Sequence, residues 1–195
     1  RHQFGNSECG MYSMYFITQM LQNKCFEKFQ KRVVTDAYML KLRKKFKLPD
    51  NRFIIGFVFR NQLRKSVPNL LEGFSSFIKL EPDSEASLLL HTHWAEGWDI
   101  ARLLKEYNIP NEKVLTTYFC PKCKQYEIKS FEGQEKDCPY CKTKKSQLTT
   151  NVKGGVSEAQ LNEIYNLMDV YCHPFTSGGQ EIPIQEAKLC ELITL

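Results

Sequence analysis

Four cysteines fall in two pairs, Cys120/Cys123 in CPKC and Cys138/Cys141 in CPYC, with fourteen residues between the pairs. Each C-x-x-C turn brings two sulfurs to one ion, so the four thiolates satisfy a tetrahedral Zn2+ with a closed shell. A closed shell predicts a structural ion rather than a catalytic one. Reduced or redox-active pairs are the other reading of the same residues. His91 and His93 alternate nearby, but two complete pairs already supply four ligands. A second constellation is cationic. Arg60 and Lys65 stand five residues apart just after an apolar run, where guanidinium and ammonium groups suit a phosphate or diphosphate. A third is the stretch from Asp169 to Ala187, DVYCHPFTSGGQEIPIQEA. It reads as a strand, a Gly178-Gly179 turn and a helix opened by Pro183 that carries Glu186. Backbone at paired glycines approaches a ligand closely, and a helix N-terminus favours phosphate. The fourth is Cys9, at the head of the apolar run ECGMYSMYFITQML, where a helix N-terminus would favour its thiolate.

The elements that must position these groups follow from periodicity. Phe53 to Phe59, Ala86 to His91 and Val114 to Phe119 are apolar runs of strand length. Between them, Leu70, Leu71, Phe74, Phe77 and Ile78 mark one helix, with Ser66 near its start and Pro68 in its first turn. Ile100, Leu103, Leu104 and Tyr107 mark another. A strand is expected at Leu148 to Val152. Ser157 with Gln160 is a capping box for a helix bearing Leu161, Ile164, Tyr165 and Met168. Between the cysteine pairs, YEIKSFEG is long enough for a hairpin with Gly133 in its turn. The pattern predicts an α/β fold: a Rossmann-like parallel sheet with helices on both faces, a four-Cys zinc-ribbon insertion at 119–146 and an N-terminal helical fragment over 1–49.

Charge is uneven. The total is +5, but residues 1–49 hold ten Lys/Arg against three Asp/Glu, and residues 50–195 hold seventeen against nineteen. The excess sits on turns such as Arg43-Lys44-Lys45, so a solvated helix face is expected and nucleic acid is not favoured. Lys122, Lys124, Lys142, Lys144 and Lys145 surround the cysteine pairs, where they offset thiolate charge or contact a polyanion. No run is apolar enough to span a membrane. With no signal-peptide pattern at the start, a cytoplasmic, reducing compartment is expected.

Two resemblances sharpen these expectations. FVFRNQLRK followed by the LLEGF helix, and GVSEAQLNEIYNLMDVYCHPFTSGGQEIPIQEA, resemble the C-terminal domain of retaining GT-B glycosyltransferases of the "group 1" family. The resemblance spans about residues 50–195 around the cysteine module. It implies a domain that binds a nucleotide sugar and transfers its glycosyl unit to an acceptor that the sequence does not identify. It further implies that Arg60 and Lys65 contact the donor diphosphate, that Gly178 and Gly179 approach it, and that Glu186 contacts the ribose. The family's other carboxylate falls on Gly178, and Glu181 stands three residues away as its substitute.

Residues 1–48 resemble the C-terminal part of SUMO-class cysteine proteases, including viral adenain-like members. The resemblance rests on Gln3, the Glu8-Cys9-Gly10 triplet and the later DAYMLKLRKKF. It implies Cys9 as nucleophile and Gln3 in the oxyanion hole. Only Arg1-His2 precede Gln3, so the base is missing and the site is incomplete. Both chain ends are expected to be cuts, and LRKKFKLPDN is expected to be a junction between two unrelated pieces. Transferase turnover from this chain alone is expected to be small. A cysteine protease for ubiquitin-like modifiers and a zinc-ribbon module for nucleic acid or protein are the rival readings.

Overall fold

The computed structural model describes residues 36–151, 154–176 and 181–195. Helix α1 spans Asp36–Lys45. It is followed by β1 (Ile54–Val58), α2 (Val67–Leu80), β2 (Ser87–His91), α3 (Ile100–Glu106) and β3 (Val114–Phe119). Then come β4 (Tyr126–Ser130), β5 (Glu135–Lys136), β6 (Gln147–Thr149), α4 (Glu158–Tyr165), β7 (Val170–Tyr171), α5 (Ile182–Leu189) and β8 (Ile193–Thr194).

The parallel part of the sheet runs β3-β2-β1-β7-β8. Ile54 pairs with Ser87 and Val58 with His91, while Gly56 on its other side pairs with Tyr171. Four of five residues in β1 and all residues in β2 and β3 are buried, as expected of strands covered on both faces. Right-handed crossovers place α2 and α3, which touch each other, on one face and α5 on the opposite face. The strand order reverses between β1 and β7, so a crevice opens there at the carboxyl ends of the strands.

Local sequence accounts for the helix boundaries. Asp99 caps α3 by accepting from the Arg102 N–H at 3.0 Å. The Ser157/Gln160 capping box forms in both directions at the start of α4. Gly56 is required by packing: a Cβ there would lie 2.0 Å from Met168 Sδ.

The cysteine module is organised differently from the hairpin expected at Gly133. Strand β4 pairs with β3, and β5 pairs with β6; β4 and β5 do not pair. Each C-x-x-C turn is itself the turn of a hairpin, one joining β3 to β4 and the other joining β5 to β6. Strand β4 takes one whole edge of β3, from Leu115 to Phe119. The other edge is therefore shared end to end: β2 covers Val114 to Thr116 and β6 covers Tyr118 and Phe119. The Gly133 segment crosses between these edges. It is stapled to β3 by the Tyr118 hydroxyl, which donates to Gly133 O at 2.7 Å and accepts from Glu132 N at 2.8 Å. Strand β6 ends at Thr149 rather than running on to position 152, because β2 occupies the next stretch of that edge of β3 and the β5 pairing stops at Glu135.

Helix α1 packs onto this same core through Leu42, with Leu48 of the following turn. Arg43 reaches both carboxylate oxygens of Asp169, at 3.1 and 2.9 Å. Asp169 also accepts from Ile54 N at 2.7 Å, at the base of β1. LRKKFKLPDN thus serves as the lead-in to the first strand.

Candidate functional site

Two constellations stand out, one of thiols and one of charges. Cys120, Cys123, Cys138 and Cys141 converge so that their sulfurs all lie within 4.8 Å of one another. Cys120 Sγ is 3.8 Å from Cys141 Sγ, and Cys123 Sγ is 3.6 Å from Cys138 Sγ. A tetrahedron with metal–sulfur bonds of ~2.3 Å has edges of about 3.8 Å, so the four sulfurs fit a thiolate-bound ion. None of the four is in a disulfide.

The two turns share one backbone design. The N–H of Lys124 donates to Cys120 O at 2.8 Å, and that of Lys142 donates to Cys138 O at 3.0 Å. Both lysines adopt the left-handed conformation, with φ of 60° and 58°. Hydrogen bonding with the Thr143 side chain and backbone pulls the Cys141 thiol down to about 6, toward the ligating form. His91 and His93 stand apart from this group: among the described residues the cluster consists of the four cysteines. His91 is buried against Thr117, 3.0 Å from its hydroxyl.

The charged constellation lies in the crevice between β1 and β7. After β1, a 3-10 turn over Leu63–Lys65 is followed by Ser66 in the left-handed region, at φ 40° and ψ 40°. That reversal turns the Lys65 side chain inward, where it is 5% exposed. Lys65 pairs with Glu181, which is 9% exposed at the N-terminal boundary of α5. Arg64 Nη1 donates to the other oxygen of Glu181 at 2.8 Å. His173, just beyond β7, completes the cluster with Nε2 3.2 Å from Lys65 Nζ and 3.3 Å from Glu181.

The hydrogen bonds determine the proton positions. Tyr171 donates its hydroxyl proton to Val58 O at 3.0 Å, so toward His173 Nδ1, at 2.7 Å, it accepts. His173 therefore carries its proton on Nδ1 and presents a lone pair on Nε2 to Lys65. Burial, followed by the nearby Lys65 charge, drives His173 down to about 4 and keeps it neutral. Burial lowers Lys65 against the pull of Glu181. Burial would raise Glu181, but hydrogen bonds from Lys65 and Arg64 outweigh it and hold the carboxyl below its usual value. The result is a carboxylate held by two cations at the switch point of the sheet, a position suited to a ligand anion.

The other predicted residues have different surroundings. Arg60 is half-exposed and engages Glu96, with Nη2 at 2.6 Å and Nε at 2.9 Å. Glu186 accepts from the buried Tyr165 hydroxyl at 2.8 Å and lies beside Cys190, whose thiol burial and the Glu186 charge push up to about 11. Gln3, Cys9, Gly178 and Gly179 lie outside the described residues. The contributions of Arg64, His173 and Tyr171 were not visible in the sequence. The signal for His173 was its place just after β7, but its partner is 108 residues away.

A comparison with known protein families and with curated proteins gives no match for this chain. Among the described residues, no helix is long and apolar enough to cross a membrane.

Proposed function

We propose that the chain is a nucleotide-sugar-binding unit of a glycosyltransferase, with the donor diphosphate held in the β1/β7 crevice. The observation that carries this reading is Lys65, a buried cation at the switch point, held with Arg64 on the Glu181 carboxylate. In the free protein Glu181 occupies the anion position. The donor diphosphate takes its place, and Arg64 and Lys65 then neutralise charge that grows on the diphosphate as the glycosyl bond breaks. The sequence resemblance to GT-B donor domains supports the same assignment, and Glu186 on α5 is the carboxylate for the ribose hydroxyls. Arg60 closes on the diphosphate once released from Glu96. The four cysteines hold a structural Zn2+, which fixes the two hairpins and takes no part in the transfer.

The test is isothermal titration with a panel of nucleotide sugars and bare nucleoside diphosphates. Lys65→Met is expected to weaken binding by tenfold or more, about 1.4 kcal/mol. Glu181→Gln removes the competing carboxylate and is expected to strengthen diphosphate binding by about tenfold. Absence of any heat from folded wild-type protein would sink the assignment.

A further inference from the structure

A cleft of about 220 Å3 is lined by His93, Gln134, Glu135, Leu148, Thr149 and Asn151. We propose that it is a binding subsite for a single hydroxyl-rich sugar ring and that the cysteine module builds one of its walls. This goes beyond the donor-diphosphate assignment and stands on separate residues.

Three features define the ligand. The first is an unpaired group: Thr149 is 1% exposed, and its hydroxyl is buried without a hydrogen-bond partner. A buried hydroxyl left unpaired is costly, and a ligand hydroxyl relieves it. The second is the chemistry of the lining. His93 Nδ1 accepts from Ala95 N at 3.3 Å, so Nε2 carries the proton and donates. Gln134 both donates and accepts, and Glu135 accepts. Among the described residues no Lys or Arg lines the cleft and Glu135 adds a negative charge, which disfavours a phosphate. The third is size. The volume lies below the ~300–1,000 Å3 typical of drug-sized sites, so it suits one ring.

The walls explain why the cleft belongs to this fold. Strands β5 and β6 are joined by the second C-x-x-C turn and pair through Glu135 and Leu148. Thr149 N donates to Gln134 O at 3.0 Å, which fixes these two lining residues together. On the opposite side, Asn61 Nδ2 donates to His93 O at 2.9 Å and ties the cleft to the loop after β1. The loop that carries His93 is thus tied to the loop that leads to Lys65.

Backbone NMR shifts of the metal-loaded protein titrated with methyl glycosides test the proposal. Shifts centred on His93, Gln134, Glu135 and Thr149 are expected. Thr149→Val keeps the side-chain shape, removes the hydroxyl and is expected to weaken binding by about fivefold or more, with the remaining spectrum showing an intact fold. Repeating the titration in Lys65→Met identifies the source of the ring. Methyl glycoside binding that persists there assigns the ring to an acceptor. Cleft shifts produced only by nucleotide sugars, and lost in Lys65→Met, assign it to the donor. Failure of every glycoside to shift the cleft, shifts confined to Lys65, His173 and Glu181, or unchanged affinity in Thr149→Val would each overturn the proposal. A cleft that responds instead to nucleosides would overturn it as well. Loss of diphosphate binding with glycoside binding intact would count only against the donor site.

Discussion

At the scale of single residues, His173 is the most informative group. Its ring is 1% exposed, and it is neutral because burial disfavours the charged form and the Lys65 ammonium faces Nε2. The folded value of about 4 lies below the ordinary 6.5. Between those values the unfolded chain binds the extra proton, so stability is fully present above about pH 6.5 and falls as pH drops toward 4. The full shift corresponds to about 3 kcal/mol. Roughly 2 kcal/mol of it is expected to be lost between pH 7.5 and pH 5. Glu181, also held below its usual value, adds a loss of the same sign at lower pH. Urea unfolding across this range checks the expectation: His173→Gln should show a shallower pH dependence than the wild type, by about that amount. Equal slopes would mean that His173 does not titrate as its surroundings imply.

Secondary structure is legible in the sequence where its cause is local. Buried apolar runs marked β1, β2 and β3, and the Ser157/Gln160 box marked the start of α4, because each depends on residues a few positions apart. Pairing in the cysteine module was not legible. The spacing marks two turns whose four sulfurs could hold one ion, but nothing in YEIKSFEG says that its strand prefers the edge of β3 to a partner across Gly133. Tertiary contact decided that, through Tyr118. The charged cluster was partly legible for the same reason. Lys65 and Glu181 were each identifiable from nearby motifs, but their pairing spans 116 residues. Gly56 illustrates an element-level constraint that composition hides. It permits Met168 to lie against β1, and an added Cβ has no space unless that side chain moves. Gly56→Ala is expected to destabilise the fold by about 1–3 kcal/mol. Combined with Met168→Ala, it should cost less than the two changes separately, with a coupling of about 1 kcal/mol or more. Chemical denaturation of the four proteins measures this, and simple additivity would show that the contact is relieved elsewhere.

Across the whole molecule, the cysteine module is part of the sheet rather than an appendage. Strand β3 gives one edge to β4 and half of the other to β6, so both hairpins that carry sulfurs are continuous with the parallel core. The module also reaches the N-terminal helix. The Tyr126 hydroxyl donates to Glu163, which receives Lys45 at 2.5 Å, linking β4, α4 and α1. Phe131 stacks on Trp94 at 3.7 Å, and Trp94 in turn donates to Thr116 at 2.8 Å. Metal removal should therefore act beyond its four ligands. Without the ion, the two turns lose their cross-link and the thiolates repel, which opens the hairpins first. The loss then spreads to the outer edge of β3 and to the Tyr126 contact. The inner strands β1, β2 and β7 are held by their own pairing and by Arg43 on Asp169, so they should persist. Hydrogen exchange on protein stripped with a chelator is expected to show lost protection over residues 120–149, retained protection in β1 and β2, and a lower Tm. Cys138→Ser should reproduce this, and the loaded protein should contain one zinc per chain. Unchanged protection after complete metal loss would mean that packing alone fixes the hairpins. Protection lost in every strand at once would mean that the sheet cannot stand without the metal-bound edge.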